Sequence, residues 1–125
     1  MDALRNSHRM LVPGGILLDL RPGPPAAHVF AEGRDLGPID ERPFFARIRR
    51  IDRDLERLVA EGLFEREAGL EFDAIERYTT LAEVFEEMEE WEEASLSKRL
   101  EARIRRAEPP VDFRHSLTLR RYRAL

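Results

Sequence analysis

The sequence predicts a mixed α/β (α+β) fold in which helices pack on a small β-sheet. Three observations support this prediction. Residues 11–22, LVPGGILLDLRP, combine a helix stop, a tight turn and an apolar strand. Later stretches place apolar residues three and four apart, as in amphipathic helices. Others alternate apolar and polar residues, as half-buried strands do. The length of 125 residues suits a single domain, residues 1–125.

The apolar strand follows a predicted short helix over residues 1–10. Pro13 ends this helix because it lacks an amide hydrogen and restricts Val12, and the two glycines that follow suit a tight turn. Residues 16–18 and Leu20 would then make both faces of the strand apolar. Such a run is typical of a strand covered on both sides, as in a parallel sheet, and a buried helix segment is the less favoured alternative.

The remaining elements follow in order. A small hairpin is predicted from His28 to Leu36, and a helix from Asp40, which can cap it, to Leu63. Residues 63–79 alternate as a strand. Thr80 opens a capping box and a helix, and a kink or a second helix capped by Ser95 or Ser97 comes next. A final half-buried strand begins at residue 111, after two prolines.

Residues 9–22, R-M-L-V-P-G-G and then I-L-L-D-L-R-P, resemble the entry to the fifth strand of class I S-adenosylmethionine-dependent methyltransferases. In that family a helix also ends in an L-x-P-G-G turn before this strand, and the later elements come in a similar order. The resemblance implies half of a Rossmann-like sheet: three main strands in the order fifth, seventh, sixth, with the last strand antiparallel. It covers only the second, C-terminal half of the family's fold.

The family holds its methyl donor largely with a glycine-rich turn in the first half, and no G-x-G-x-G occurs in these 125 residues. We therefore expect no cofactor for the isolated chain, and S-adenosylmethionine only if the missing half is supplied. No catalytic, cofactor-binding or metal residue is assigned. Seven glutamates in residues 83–93 indicate a solvated acidic helix face rather than a cation site.

Composition excludes several functional classes. The net charge of −4 argues against a nucleic-acid binder, although 37% of the residues are charged. Without cysteine, neither disulfides nor thiolate chemistry is available. No apolar run approaches the ~18 residues of a membrane span, and the N-terminus has no apolar signal core. We expect a cytoplasmic protein that binds neither nucleic acid nor membrane.

Asp19, Arg21 and His28 are the candidate cleft residues. Asp19 and Arg21 share one face of the predicted strand near its carboxyl end, where ligands bind in such sheets. A structural salt bridge or a solvated strand end is the favoured alternative for this pair. His28 has no partner that spacing identifies, and a histidine of no special role is favoured over a catalytic base.

Leu17, Leu18 and Leu20 are the candidate interface residues. If this strand has lost its former neighbour, its apolar edge invites association, and a second copy of the chain would cover it. The favoured function is a non-catalytic structural or interaction module that forms a homodimer. A second hypothesis is the C-terminal part of a methyltransferase, completed by another polypeptide or by an unannotated N-terminal half. A third is a small enzyme or ligand-binding protein that uses the vacated pocket.

Overall fold

The computed structural model describes residues 2–125 and contains helices and strands in mixed order. The helices are α1 (Asp2–Met10), α2 (Arg42–Ala60), α3 (Leu81–Glu89) and α4 (Lys98–Arg106). The strands are β1 (Ile16–Pro22), β2 (His28–Ala31), β3 (Arg34–Pro38), β4 (Phe64–Tyr78) and β5 (Val111–Ala124). The predicted mixed α/β class is confirmed.

The five strands form one open antiparallel sheet. Its order is β1-β5-β2-β3, and β4 also pairs with β5. The final strand is therefore the common partner: β1 pairs with its residues 117–123, and β2 pairs with its residues 111–114. Each of these pairings is antiparallel, so the antiparallel last strand is confirmed.

The described chain divides into two compact units. Unit 1 comprises the residues up to Pro22, Ala46–Phe72 and Leu117–Leu125. Unit 2 comprises Gly23–Phe45 and Asp73–Ser116. Each unit has its own set of buried apolar side chains.

The core of unit 1 lies between α2 and the strands. Its buried members come from α2, β4 and β5, and Leu17 of β1 packs against them. They are Leu55, Leu58, Phe64, Tyr122 and Ala124. The Phe64 ring meets the Tyr122 ring edge-on at 6.3 Å between centroids, a favourable aromatic geometry.

The turn between α1 and β1 forms as predicted. Helix α1 ends at Met10, and Gly14 adopts a positive φ of 83°, which a residue without a Cβ tolerates. The Gly14 amide donates to the Ala124 carbonyl, and the Ala124 amide donates to the Gly15 carbonyl, each at 2.8 Å. These bonds tie the start of β1 to the end of β5.

Unit 2 contains the predicted hairpin. Strands β2 and β3 are joined by Glu32 and Gly33, whose φ values of 54° and 71° suit a tight hairpin turn. Val29 of β2 and Phe113 of β5 lie in the core of this unit. The Phe113 ring contacts Tyr78 and Trp91, with centroids 4.9 Å and 5.8 Å away.

Side-chain caps begin both later helices of unit 2. The Thr80 hydroxyl accepts the Glu83 amide at 3.2 Å, and the Ser97 hydroxyl accepts the Leu100 amide at 3.0 Å. These bonds satisfy amides that have no partner within the first helical turn. The Thr80 cap and the presence of two helices are confirmed, and Ser97 rather than Ser95 is the second cap. The Glu83 carboxylate accepts the Thr79 amide at 3.1 Å, one residue before the amide that a capping box would use.

One expectation about burial is wrong. Strand β1 is not covered on both faces, because Leu18 and Leu20 are 62% and 58% exposed. In β4, the apolar residues Leu70 and Phe72 are also exposed. Both strands are antiparallel neighbours of β5, and an antiparallel sheet can leave one face to solvent.

We predict that Leu58→Ala lowers the free energy of unfolding by about 2–5 kcal/mol, because Leu58 is fully buried and its truncation leaves a cavity. Leu70→Ala is the matched control: the same substitution at a largely exposed site of the same unit should cost less than about 0.5 kcal/mol. Urea denaturation measures both. Equal losses would contradict the core described for unit 1.

Candidate functional site

One face of β1 packs against the core and the other is exposed. Leu17 packs against the core of unit 1, whereas Leu18 and Leu20 point to the opposite, open face. Opposite Leu20 in the neighbouring strand lies Leu119, and opposite Pro22 lies Leu117. We call Leu18, Leu20, Leu117 and Leu119 the apolar face. Leu20 with Leu119 and Pro22 with Leu117 form two apolar cross-strand pairs, whereas the residue opposite Leu18 is Arg121.

The backbone of β1 is open on its outer edge. The bond from the Ala124 amide to the Gly15 carbonyl marks a hydrogen-bonded pair with β5, and such pairs recur at every second residue of an antiparallel ladder. Leu17, Asp19 and Arg21 therefore face β5 with their backbone groups. The amide and carbonyl groups of Leu18 and Leu20 point away, and in the described sheet β5 is the single strand neighbour of β1.

The part of β4 in unit 1 lies on the other edge of β5 and differs in chemistry. It carries charges along residues 65–71, and Glu67 binds Arg121 and Arg123 of β5 at 3.0 Å and 2.8 Å. Charged side chains are the usual protection of an edge strand against unwanted pairing. Strand β1 has no such protection, because its two charged side chains turn to the helix-packed face.

Those two charged residues form an ion-pair cluster under β1. Arg21 is 8% exposed and hydrogen-bonds Asp52 of α2, while its Nη2 lies 3.0 Å from Asp19 Oδ2. Arg120 of β5 donates to the same Asp52 oxygen at 2.9 Å. Asp52 thus stands between two arginines, and the cluster links strands β1 and β5 to helix α2.

The cluster gives the candidate pair Asp19 and Arg21 a structural environment. Their side chains lie on the face that packs against α2, paired with each other. A small cavity of about 200 Å³ adjoins this cluster. Two carboxylates and two guanidinium groups line it, so its lining carries no net charge, and we assign it no ligand. These charged residues are Asp52, Glu56, Arg66 and Arg120.

His28, the third candidate, belongs to unit 2. Its Nδ1 lies 2.9 Å from Asp35 across the hairpin, and Asp35 also accepts the Gly37 amide at 2.9 Å. The hydrogen bond from His28 lowers the pKa of Asp35 below its ordinary value. The pair fixes the hairpin strands β2 and β3 to each other. Asp19 and Arg21 lie in the other unit.

Sequence reasoning missed Asp52 and the two β5 members of the apolar face, Leu117 and Leu119. Asp52 lies 31 residues from Arg21, and its place on an amphipathic helix gave no signal beyond a polar position. Leu117 and Leu119 showed the alternation of a strand, but alternation does not say which face is covered. The pairing register with β1 supplies that information.

Within residues 2–125, no group of three or more His, Asp or Glu side chains is arranged to hold a metal ion. None of the described helices is both long and apolar enough to cross a membrane. No family model, no curated protein and no solved structure matches this chain. The resemblance to methyltransferases therefore stays a prediction.

We predict that Asp52→Asn lowers the free energy of unfolding by about 1–3 kcal/mol, because Arg21 and Arg120 would lose their shared negative partner in a mostly buried place. The Asp52 side chain is 31% exposed, so solvent screens its charge. The expected loss of free energy is therefore smaller than for a fully buried ion pair.

Glu56→Gln is the control for this variant. It removes one carboxylate from the same helix at an exposed position, and should change the free energy by less than about 0.5 kcal/mol. Urea denaturation compares the two. If Asp52→Asn is as stable as the control, the cluster does not stabilise β1 against α2.

Proposed function

We propose that this chain is a non-catalytic, cytoplasmic structural or interaction module that associates with a second copy of itself through β1. The observation that carries the proposal is the open edge of β1, with outward backbone groups at Leu18 and Leu20 beside exposed leucine side chains. An edge of this kind is a template for another strand. Closed two-fold dimers are the commonest homo-oligomers, so a second copy is the simplest occupant.

The register of such a dimer follows from the ladder. Only residues whose backbone groups point outward can pair, so Leu18 or Leu20 can face a copy of β1 with two hydrogen bonds each. Placing Asp19 on the two-fold axis would set two carboxylates opposite each other, which is destabilising. We therefore place Leu18 or Leu20 on the axis. Pro22 has no amide hydrogen and ends the pairing.

The apolar face adds the second part of the interface. When two sheets join edge to edge, the exposed Leu18 and Leu20 side chains of both copies lie side by side. Each buried CH₂ group contributes about 0.8 kcal/mol through the hydrophobic effect, so these leucines strengthen what the backbone bonds orient. Leu17 lies on the other side of β1 and packs against the core of unit 1.

The double variant Leu18→Lys, Leu20→Lys should convert the dimer to a monomer, because paired strands would bring four ammonium groups together across the interface. Size-exclusion chromatography with multi-angle light scattering measures the molar mass at about 1–100 μM protein. A dimer with a micromolar dissociation constant dissociates measurably within this range. Circular dichroism shows whether the variant stays folded.

Leu70→Lys is the matched control. Leu70 is as exposed as Leu18 and Leu20 but lies on the charged edge strand β4, so this variant should remain dimeric. A wild-type chain that is a monomer throughout this range would overturn the proposal. A dimer that survives the double variant and is lost in Leu70→Lys would move the interface to β4.

The alternative proposal is that the chain is the C-terminal part of a methyltransferase completed by another polypeptide, whose strand would occupy the same open edge. S-adenosylmethionine would then bind only the completed protein. Isothermal titration of the isolated chain with S-adenosylmethionine and with its demethylated product should give no binding heat. Heat from either titration would contradict the non-catalytic proposal and favour a methyltransferase site within these residues.

A further inference from the structure

A groove in unit 2 has a basic rim and an apolar floor. It consists of two adjoining depressions of about 540 Å³ and 370 Å³, which share Leu36 of β3 and Arg103 of α4 as lining residues. We call this surface the arginine groove. Helix α4 and strand β3 approach closely here: a Cβ added at Gly37 would lie 3.6 Å from Leu100 Cδ1.

The basic rim comes from one stripe of α4. Arg99, Arg103 and Arg106 stand at i, i+4 and i+7, which places them on the same side of the helix, and all three line the groove. They are all exposed. Their Cα atoms span about 10.5 Å along the helix axis at 1.5 Å per residue.

Each carboxylate that lines the groove already has a hydrogen-bond partner within the chain. Glu32 binds Arg34 at 2.8 Å, and Asp40 binds Arg42 at 2.7 Å. The Arg42 guanidinium lowers the pKa of Asp40 to about 2, so this carboxylate is ionised and paired at neutral pH. Asp35 binds His28, and Glu41 accepts the Ala27 amide at 2.6 Å.

The three arginines of this stripe form no ion pair with a carboxylate in the described residues. Arg103 donates to the Leu36 carbonyl at 2.8 Å, a neutral acceptor that fixes the side chain without neutralising it. Within residues 2–125, Arg99 and Arg106 have no carboxylate partner. Five arginines and four carboxylates line the groove, so its lining has a surplus of one positive charge on a chain whose net charge is −4.

The floor of the groove is apolar. Ile39 and Leu100, each 3% exposed, form its base, and Phe45 and Pro38 line its wall. A phosphate backbone would gain nothing from such a floor. A peptide that carries both carboxylates and an apolar side chain would match the rim and the floor together.

We infer that the arginine groove binds a short acidic peptide segment of a partner protein, with carboxylates on Arg99, Arg103 and Arg106 and an apolar side chain on the floor. Alternate residues of an extended peptide on one face lie about 6.6–6.8 Å apart, so two or three acidic residues span the stripe. This surface lies in unit 2 and is independent of the proposed dimer edge, which lies in unit 1.

The probe is a fluorescein-labelled twelve-residue peptide in which glutamate alternates with leucine and phenylalanine, and binding is measured by fluorescence anisotropy. The double variant Arg99→Glu, Arg106→Glu should weaken binding at least about tenfold, because two attractive contacts become repulsive. Added salt should weaken binding to the wild type, because these contacts are solvent-exposed. Arg103 is left intact because it also holds β3.

Arg53→Glu, Arg57→Glu is the control with the same change in net charge. Both arginines are exposed on the part of α2 in unit 1 and neither lines the groove, so this variant should bind the peptide like the wild type. Circular dichroism checks that both variants fold. The same peptide with glutamine in place of glutamate should bind at least about tenfold more weakly.

Three results would overturn the inference. The first is equal binding by the groove variant and the wild type. The second is equal binding of the glutamine peptide, which would mean adsorption by apolar contact alone. The third is binding of a ten-nucleotide oligothymidylate as tight as that of the acidic peptide, which would make the groove a general polyanion surface. None of these readouts depends on whether the chain is a dimer.

Discussion

The backbone pairing of β5 is the constraint on which the sheet depends. Every other strand except β3 bonds directly to β5, and β3 bonds to β2, which does. Because each antiparallel register fixes which side chains share a face, the position of β5 decides the environment of every residue in β1. It turns Leu17, Asp19 and Arg21 to the helix-packed side and leaves Leu18 and Leu20 exposed.

The high charge of this chain divides into charges that stabilise the fold and charges that are left over. Arg21 and Arg120 converge on Asp52, and Arg42 is held by Asp40. Such pairs, although individually weak where solvent reaches them, fix side-chain positions. Arg99 and Arg106 of α4 are different, because neither has a carboxylate partner among the described residues. This contrast separates a structural ion pair from a candidate binding surface.

Most elements could be predicted from local signals. Pro13 and the glycines after it set the turn into β1, and Thr80 and Ser97 cap α3 and α4, because these effects depend on residues within one helical turn or one tight turn. The burial of side chains was less predictable than the elements themselves. The apolar run of β1 was expected to be covered on both faces, yet Leu18 is exposed, because covering depends on which distant segment arrives beside the strand.

The candidate sites show the same division. The pairing of Asp19 with Arg21 was one of two readings of a two-residue spacing, and only the fold supplied Asp52 as the third member. The arginine spacing on α4 was present in the sequence, but the apolar floor beside it is built by β3, more than 60 residues earlier.

The helices, the strands and the turns between them could thus be predicted from neighbouring residues, because short-range sterics and hydrogen bonding decide where they form. The exposure of the β1 leucines and the pairing of the charged side chains required the tertiary structure, because both depend on contacts between residues that are far apart in the chain.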